Sequence, residues 1–363
     1  MYKAALISLG SQSSKLTHEA MKKYFEKVDH INLKFIEVSV KQEGIKILYK
    51  GKPLPDYDCI LAKGSFRYAA VLRSITAARK KSSYMPILPS SFTIVNDKLL
   101  THLKLQEHGV PMPTTYIAST IEGAKEILEK VNYPIVMKFP QGTHGKGVMF
   151  SESKSSAASM LDALTVLNQS FIIQEYIETD GTDLRAFVIG NKVVAAMQRS
   201  AAPGEERANL HSGGSGDPIV LEDYTKKIAI KAAQSLGCDI CAVDILEGIK
   251  GPLVLEVNYS PGLGGIMDVT KIDVADKIAK YLLDKTDEIK SKEKKGEASK
   301  IMDSLDVGKG QKEIITNLKF RGERILLPEV VTKVTRFNEK DEVAIKVDEK
   351  RLVIKKFEIG NGL

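Results

Sequence analysis

The chain has 363 residues, 43% hydrophobic and 27% charged, with a net charge of +7. That leaves room for two or three domains with large cores and excludes a disordered or fibrous chain. Three cysteines, Cys59, Cys238 and Cys241, cannot form a disulfide framework, and no run of about 18 apolar residues exists to span a membrane. The basic excess suits nucleic acid, but equally an enzyme handling nucleotides and acidic substrates, or a solvated lysine-rich surface. Cys238-Asp-Ile-Cys241 has the spacing of half a zinc ribbon. With no second pair, and running into a buried strand, it reads as packing.

The first residues are too short for a signal sequence and read as a strand, 4–9, so the expected compartment is the cytoplasm. An amphipathic helix over 16–28, strands over 33–38 and 57–62, and a helix over 69–80 follow. The alternation predicts a small α/β domain, 1–95, with a mostly parallel sheet. Lys63-Gly-Ser-Phe-Arg67 leaves strand 57–62 at its C-terminal end, where open α/β sheets present ligand groups. Arg67 is therefore a candidate for an anionic substrate, with a plain surface arginine as the alternative.

Asn96-Asp-Lys-Leu-Leu-Thr-His-Leu-Lys-Leu-Gln opens a helix capped by Asn96 or Asp97, with an apolar stripe of Leu99, Leu103 and Leu105. Lys98 in its first turn faces the positive helix end, which an anion such as a nucleotide phosphate would offset. Tyr133-Pro-Ile-Val-Met-Lys-Phe-Pro is a strand ending on Lys138, and a glycine-rich loop, 141–147, precedes a second strand, 148–151. Gly142, Gly145 and Gly147 free the backbone to approach phosphate oxygens; a plain hairpin turn is the alternative, and no Walker loop is present.

Phe171-Ile-Ile-Gln-Glu-Tyr-Ile-Glu is a buried strand, and Gly190-Asn191 joins two further strands as a two-residue hairpin. Strict alternation through that turn puts Asp183, Arg185, Ala196 and Gln198 on one face and Arg199 on the other, unless a bulge re-aims it. Residues 200–217 read as a loop closing over a ligand, and 223–236 as an amphipathic helix.

The most informative stretch is the next hairpin. Apolar runs 242–246 and 253–257 flank a turn centred on Lys250, from which Asp244 and Glu256 are equally distant. A symmetric register seats the two carboxylates opposite each other, with Asn258 on the face of Glu256. Like charges so placed repel, so a cation between them is expected. Two carboxylates and an amide oxygen suit Mg2+ or Mn2+; solvated acids on an edge hairpin are the alternative. A helix over 274–283 precedes a Lys/Glu-rich tract, 284–300, that reads as a solvated helix or tether. Short strands at 313–320, 325–327, 342–347 and 352–357 then make an all-β unit, marginal as a monomer.

In their order, Asn96-Asp-Lys-Leu, Val136-Met-Lys-Phe with the glycine loop, Gln174-Glu-Tyr-Ile, Asp183-Leu-Arg, Arg207-Ala-Asn-Leu-His, Val243-Asp-Ile-Leu and Glu256-Val-Asn-Tyr-Ser-Pro-Gly resemble the RimK-type ATP-grasp carboxylate–amine ligases. The resemblance covers residues 1 to 285. It implies a two-lobed α+β ATP-grasp fold over 96–285, with the preceding α/β domain completing the acceptor site. Lys98 and Lys138 would then contact ATP phosphates beneath the glycine loop. Glu175, Tyr176 and Ile177 would hold the adenine edge, and Asp183 the nucleotide or its neighbouring loop. Asp244, Glu256 and Asn258 would hold two divalent ions, while Arg185, Arg199, Arg207 and Asn209 would steady the reacting carboxylate and an acylphosphate. His144 and His211 read as loop histidines.

The implied reaction phosphorylates a carboxylate and lets an amine displace the phosphate, giving an amide, ADP and phosphate. Asn258-Tyr-Ser-Pro-Gly-Leu-Gly-Gly is closer to the glutamate-adding members, whose acceptor would be a protein C-terminus, a peptide or a coenzyme. After a charged linker, 286–310, the segment 311–363 resembles the AbrB-type swapped-hairpin domain, which implies a homodimer. Arg321, Arg324, Lys333 and Arg336 leave DNA binding open there, although dimerisation alone is the preferred reading. The competing readings are a DNA-binding regulator that senses ATP, a ligase of the same family adding another amino acid to a carrier protein, and a small-molecule kinase. A complete Asp244, Glu256 and Asn258 set favours the ligase.

Overall fold

The apolar run Ala4-Ala-Leu-Ile7 is fully buried and forms β1 (Lys3–Ser8), which passes through α1 (Gln12–Met21) into β2 (Lys27–Asn32). The helix expected to reach residue 28 stops at Met21, and the parallel partner of β1 is Lys-Val-Asp-His-Ile-Asn rather than 33–38. This edge strand is only partly covered, so no continuous apolar run marks it. An antiparallel meander that the sequence did not suggest follows: β3 (Ile36–Lys41), β4 (Gly44–Tyr49) and β5 (Lys52–Pro53). The buried β6 (Cys59–Ala62) then pairs parallel with β1, giving the order β2-β1-β6. The computed structural model describes residues 2–140, 147–167, 169–202, 214–304, 319–327, 331, 335, 337–348 and 351–357.

After α2 (Ala69–Arg79) and the short α3 (Ser91–Ile94), Asp97 caps α4 (Lys98–Glu107) by accepting from the amides of Leu99 and Leu100. Its buried side is Thr101, His102 and Leu105; Leu103 is 52% exposed, so the leucine stripe is not the packed face. Next come β7 (Thr115–Tyr116), α5 (Ile121–Lys130), β8 (Ile135–Lys138), β9 (Val148–Ser151), α6 (Lys154–Val166) and β10 (Ile172–Glu175). They make a four-stranded sheet, β7-β10-β8-β9, with α5 and α6 packed on it through Leu128 and Leu161.

The larger sheet, β13-β12-β11-β14-β15, is built from β11 (Thr182–Ile189), β12 (Lys192–Ser200), β13 (Ser215–Pro218), β14 (Ile240–Gly248) and β15 (Gly251–Asn258). Between β13 and β14, α7 (Asp223–Ser235) covers one face of it through Ile228, Ala229 and Ala232. After α8 (Gly264–Thr270), α9 (Val274–Ser304) covers part of the other through Val274, Ile278 and Leu282, and continues through the tract read as a tether. All three cysteines are buried and free, and among the described residues no cluster of metal-ligating side chains surrounds Cys238 and Cys241.

These elements form one compact unit, Met1–Lys295; the second is Gly296–Leu363. In the second, β16 (Lys319–Arg321) pairs with β17 (Arg324–Leu326), and β18 (Val343–Asp348) with β19 (Arg351–Lys356). Lys333, Arg336 and most of the expected strand 313–320 lie outside the described residues. No helix among those described is long and apolar enough to cross a membrane.

Candidate active site

Two bulges decide which side chains reach the site. In the hairpin turning at Gly190-Asn191, Ile189 pairs with Lys192 and Val188 with Val193, but Phe187 pairs with Ala195 and leaves Val194 extra. Beyond that point the parity reverses. Asp183 faces Arg199 and Arg185 faces Met197, while Ala196 and Gln198 fall on the opposite face, correcting the alternation expected from the turn. The second hairpin repeats the device. Its two-residue turn, Ile249-Lys250, would by itself set Asp244 against Leu255, but a shift between Asp244 and Ile245 leaves Leu255 extra and seats Asp244 opposite Glu256. The carboxylates do face each other as expected, through a bulge rather than a symmetric turn.

The result is a sheet face that is apolar at one end, around Phe187, Ala195 and Ala242, and charged at the other. Arg199 donates from Nε and one terminal nitrogen to both oxygens of Asp183, each at 2.6 Å. Arg185 grips Asp244 the same way at 2.7 and 2.6 Å, and Arg199 also reaches Asp244 at 3.0 Å. Two guanidiniums thus lie against Asp244 in this structure. Burial pushes the Asp244 carboxyl up, but Arg185 and Arg199 outweigh it and hold the group below the usual carboxylate range. Burial and the Asp244 charge push the Asp183 carboxyl up, against the pull of Arg199. Asn258 stays on the face of Glu256 and donates to it at 3.1 Å.

This charged half-face borders a cavity of about 600 Å³ whose other wall is the four-stranded sheet. From that side come Lys138, Val148, Phe150 and Glu175, followed by Tyr176 and Ile177; Lys98 lines it from α4. Phe150 and Tyr176 meet edge to face at 6.0 Å between ring centroids. Gly147, at φ +78°, has room for no side chain, since a Cβ there would lie 2.2 Å from the Phe139 ring. The turn into β9 therefore needs glycine. Burial pushes the Lys138 ammonium down to about 8, although Glu256 pulls it back up. Gly142, Gly145, Arg207 and Asn209, with His144 and His211, lie outside the described residues.

A hydrogen-bonded chain behind this wall was not anticipated. Lys138 Nζ donates to Gln174 Oε1 at 2.5 Å, and Gln174 Nε2 donates to Thr115 Oγ1 at 2.8 Å. Thr115 lies 2.9 Å from His102 Nδ1, and His102 Nε2 lies 3.4 Å from the carbonyl of Leu255, the bulge residue. With Nε2–H pointed at Leu255, Nδ1 of the neutral ring is an acceptor, and the single Thr115 proton is shared between it and the Pro113 carbonyl at 3.0 Å. Burial, with the Lys138 and Lys98 charges adding, pulls His102 down to about 4 from 6.5. Between those values the unfolded chain binds a proton that the folded chain does not. Stability should therefore fall by roughly 3 kcal/mol as pH drops from 6.5 through 4. Urea titrations at fixed pH check this, and His102→Gln should flatten that limb of the profile.

Arg67 is exposed and does not line the cavity; Lys63, four residues earlier, does. The sequence offered both residues, but only the placement of β6 beside β1 distinguishes them.

Comparisons with known proteins agree with this architecture. Residues 95–282 match the family described as RimK-like ATP-grasp domain. A protein of Coxiella burnetii named probable alpha-L-glutamate ligase is 38% identical over 262 residues, covering 70% of this chain and 86% of its own. One of the same name from Thioalkalivibrio sulfidiphilus is 39% identical over 242 residues, covering 65% and 79%. Among solved structures, the ATP-grasp ligase PsnB complexed with minimal precursor superposes with a TM-score of 0.62 at 16% identity, covering 77% of this chain and 98% of that one. A second PsnB structure, with minimal precursor, Mg and ADP, gives 0.61 at 16% identity over 78% and 98%. A RimK domain ATP-grasp protein from Sphaerobacter thermophilus gives 0.59 at 19% identity, covering 77% and 98%. The chain belongs to the RimK-like ATP-grasp family and is an ATP-dependent acid–amino-acid ligase.

Proposed function

We propose that this ligase joins glutamate to a carboxylate of a peptide, protein or coenzyme acceptor through an acylphosphate, releasing ADP and phosphate. The observation that carries this reading is the charged half-face itself, with Arg185, Arg199, Asp244, Glu256 and Asn258 lining one cavity with Lys98 and Lys138. Asp183 and Asp244 pair with the two arginines, and Lys98 and Lys138 add two ammonium groups to the same cavity that can meet a polyphosphate. Lys98 and Lys138 hold ATP phosphates, while Glu175, Tyr176 and Ile177 border the adenine and Asp183 serves the nucleotide or its neighbouring loop. Gly147, with Gly142 and Gly145 outside the described residues, is assigned to phosphate binding.

Asp244, Glu256 and Asn258 present oxygen donors on facing strands, a set that fits hard divalent cations; two ions, Mg2+ or Mn2+, would be held there. Such ions offset charge repulsion between triphosphate and attacking carboxylate. Arg185 and Arg199, with Arg207 and Asn209, orient that carboxylate and stabilise the charge that develops as it is phosphorylated. The free buried cysteines suit a reducing cytoplasm.

Incubating the full chain with ATP, Mg2+, L-glutamate and peptides ending in glutamate tests this by mass spectrometry. A mass gain in whole glutamate increments is expected. A stable phosphorylated acceptor with no amide would make the enzyme a kinase instead.

The second unit we assign to pairing with another copy. Ile345, Val347 and Leu352, on one face of the β18–β19 hairpin, are 56%, 72% and 48% exposed, an apolar stripe that a swapped hairpin would cover. Light scattering should give a dimer or higher even multiple, and Ile345→Lys should lower it. A monomer at micromolar concentration would refute the pairing.

A further inference from the structure

The first sheet, β2-β1-β6, reverses direction at β1, because the chain leaves that strand to one side and returns on the other. In open parallel sheets such a reversal opens a crevice beyond the C-terminal ends of the two strands, and ligands bind there. Here the crevice lies past Ser8 of β1 and Ala62 of β6. Its walls, the start of α1 and Lys63-Gly-Ser65, line the same cavity as Glu256 and Asn258.

Lys63 stands at the end of β6, its amide donating to the carbonyl of Ile7 at 2.8 Å. It is only 6% exposed, and among the described residues its ammonium has no hydrogen-bond or ion-pair partner. Burial pushes that ammonium down to about 8. With no counter-ion beside it among the described residues, the ammonium at the cavity wall favours an anion that arrives as a ligand.

The start of α1 adds to the pull. A helix start leaves amides without intrahelical acceptors and carries partial positive charge. Ser11 satisfies that of Ser14, and the Ser13 hydroxyl accepts from the amide of Leu263 at 2.8 Å. That last bond ties α1 to the loop following Asn258, on the side of the cavity where the acylphosphate would form. Nucleotide phosphates have their own cations in Lys98 and Lys138, on different elements. Both organic substrates are carboxylic acids in the reading above, and each can carry a carboxylate that does not react.

We propose that Lys63 and the start of α1 form a subsite for a non-reacting substrate carboxylate. The inference rests on that ligase reading. Trace acetylation of the full chain, with Lys63 measured by peptide mass spectrometry against exposed Lys34, tests it. The additions are Mg2+ with AMP-PNP, the same with L-glutamate, and the same with a peptide ending in Glu-Glu. Glutamate or the peptide should lower Lys63 labelling about tenfold, as expected for a charge-assisted contact, and whichever does so names the source of the carboxylate. The diamide of glutamate should not protect. Equal labelling under every addition overturns the subsite, as does full protection by Mg2+ and AMP-PNP alone, which would make Lys63 a phosphate ligand. Lys138 labelling reports separately: if AMP-PNP leaves it unchanged, the nucleotide reading fails rather than the Lys63 assignment. In initial-rate kinetics Lys63→Met should raise the KM of the protected substrate about tenfold, more than it lowers kcat, with Lys63→Arg restoring it. An unchanged KM in Lys63→Met also overturns the proposal.

Discussion

Replacing Glu256 by alanine should lower Mg2+-dependent ADP release by about a thousandfold while leaving the fold intact. Glu256 is half-buried at the cavity wall, opposite Asp244 and beside Asn258, so its position serves the cavity rather than the core. Losing its carboxylate removes an oxygen donor and a negative charge from the proposed cation site, and both effects fall on the phosphoryl-transfer step. Glu256→Gln separates them. It keeps the shape and can still accept from Asn258, yet it should lose nearly as much activity, because the negative charge that attracts the cation is gone. Coupled-enzyme assays of ADP at several Mg2+ concentrations make the comparison, with thermal denaturation to verify folding. Activity within tenfold of the parent in Glu256→Gln would show that no charge is needed at this position, and the cation assignment would be wrong.

How far the sequence reaches is set by where its patterns are one-sided. The hairpin turns at Gly190-Asn191 and Ile249-Lys250 were legible because short polar or glycine-containing turns interrupt apolar strands. The bulges beside them were not. Val193 to Met197 and Leu253 to Leu255 are continuous apolar runs, and a run apolar on both faces carries no parity to read. Strict alternation therefore puts Arg199 on the wrong face unless a bulge intervenes, as it does, and its pairings with Asp183 and Asp244 are buried. β2 escaped for the opposite reason: an edge strand with Asp29 and His30 on it has too little apolar pattern. Lys63 could not be chosen over Arg67 without the strand order, since only adjacency of β6 and β1 makes its position a crevice. His102 carried a cue, a histidine inside an otherwise leucine-rich helix. Its partners, Thr115 and Leu255, come from distant segments.

The arginine–aspartate cluster predicts the largest stability effect. Asp244→Ala should destabilise the chain by about 3–5 kcal/mol, the cost of leaving a buried cation without its counter-ion. Asp244 is 2% exposed and shared between two guanidiniums, whose side chains are 19% and 8% exposed at Arg185 and Arg199. Arg199 would retain Asp183, but Arg185 would lose both of its short contacts at once. Two comparisons distinguish this from a simple packing loss. Asp183→Ala should cost less, because Arg199 keeps Asp244. Adding Arg185→Met to Asp244→Ala should recover part of the loss, since the stranded charge is removed and an apolar side chain fills its place. Urea unfolding of the parent, Asp183→Ala, Asp244→Ala and the double variant at neutral pH makes both comparisons. If the double variant is less stable than Asp244→Ala alone, the guanidinium is not stranded and Asp244 stabilises the sheet by another route. If the recovery is seen, Asp244 is a counter-ion first. Any cation bound beside Glu256 must then compete with Arg185 for the same two oxygens, which would release the arginine toward the substrate carboxylate as the ions bind.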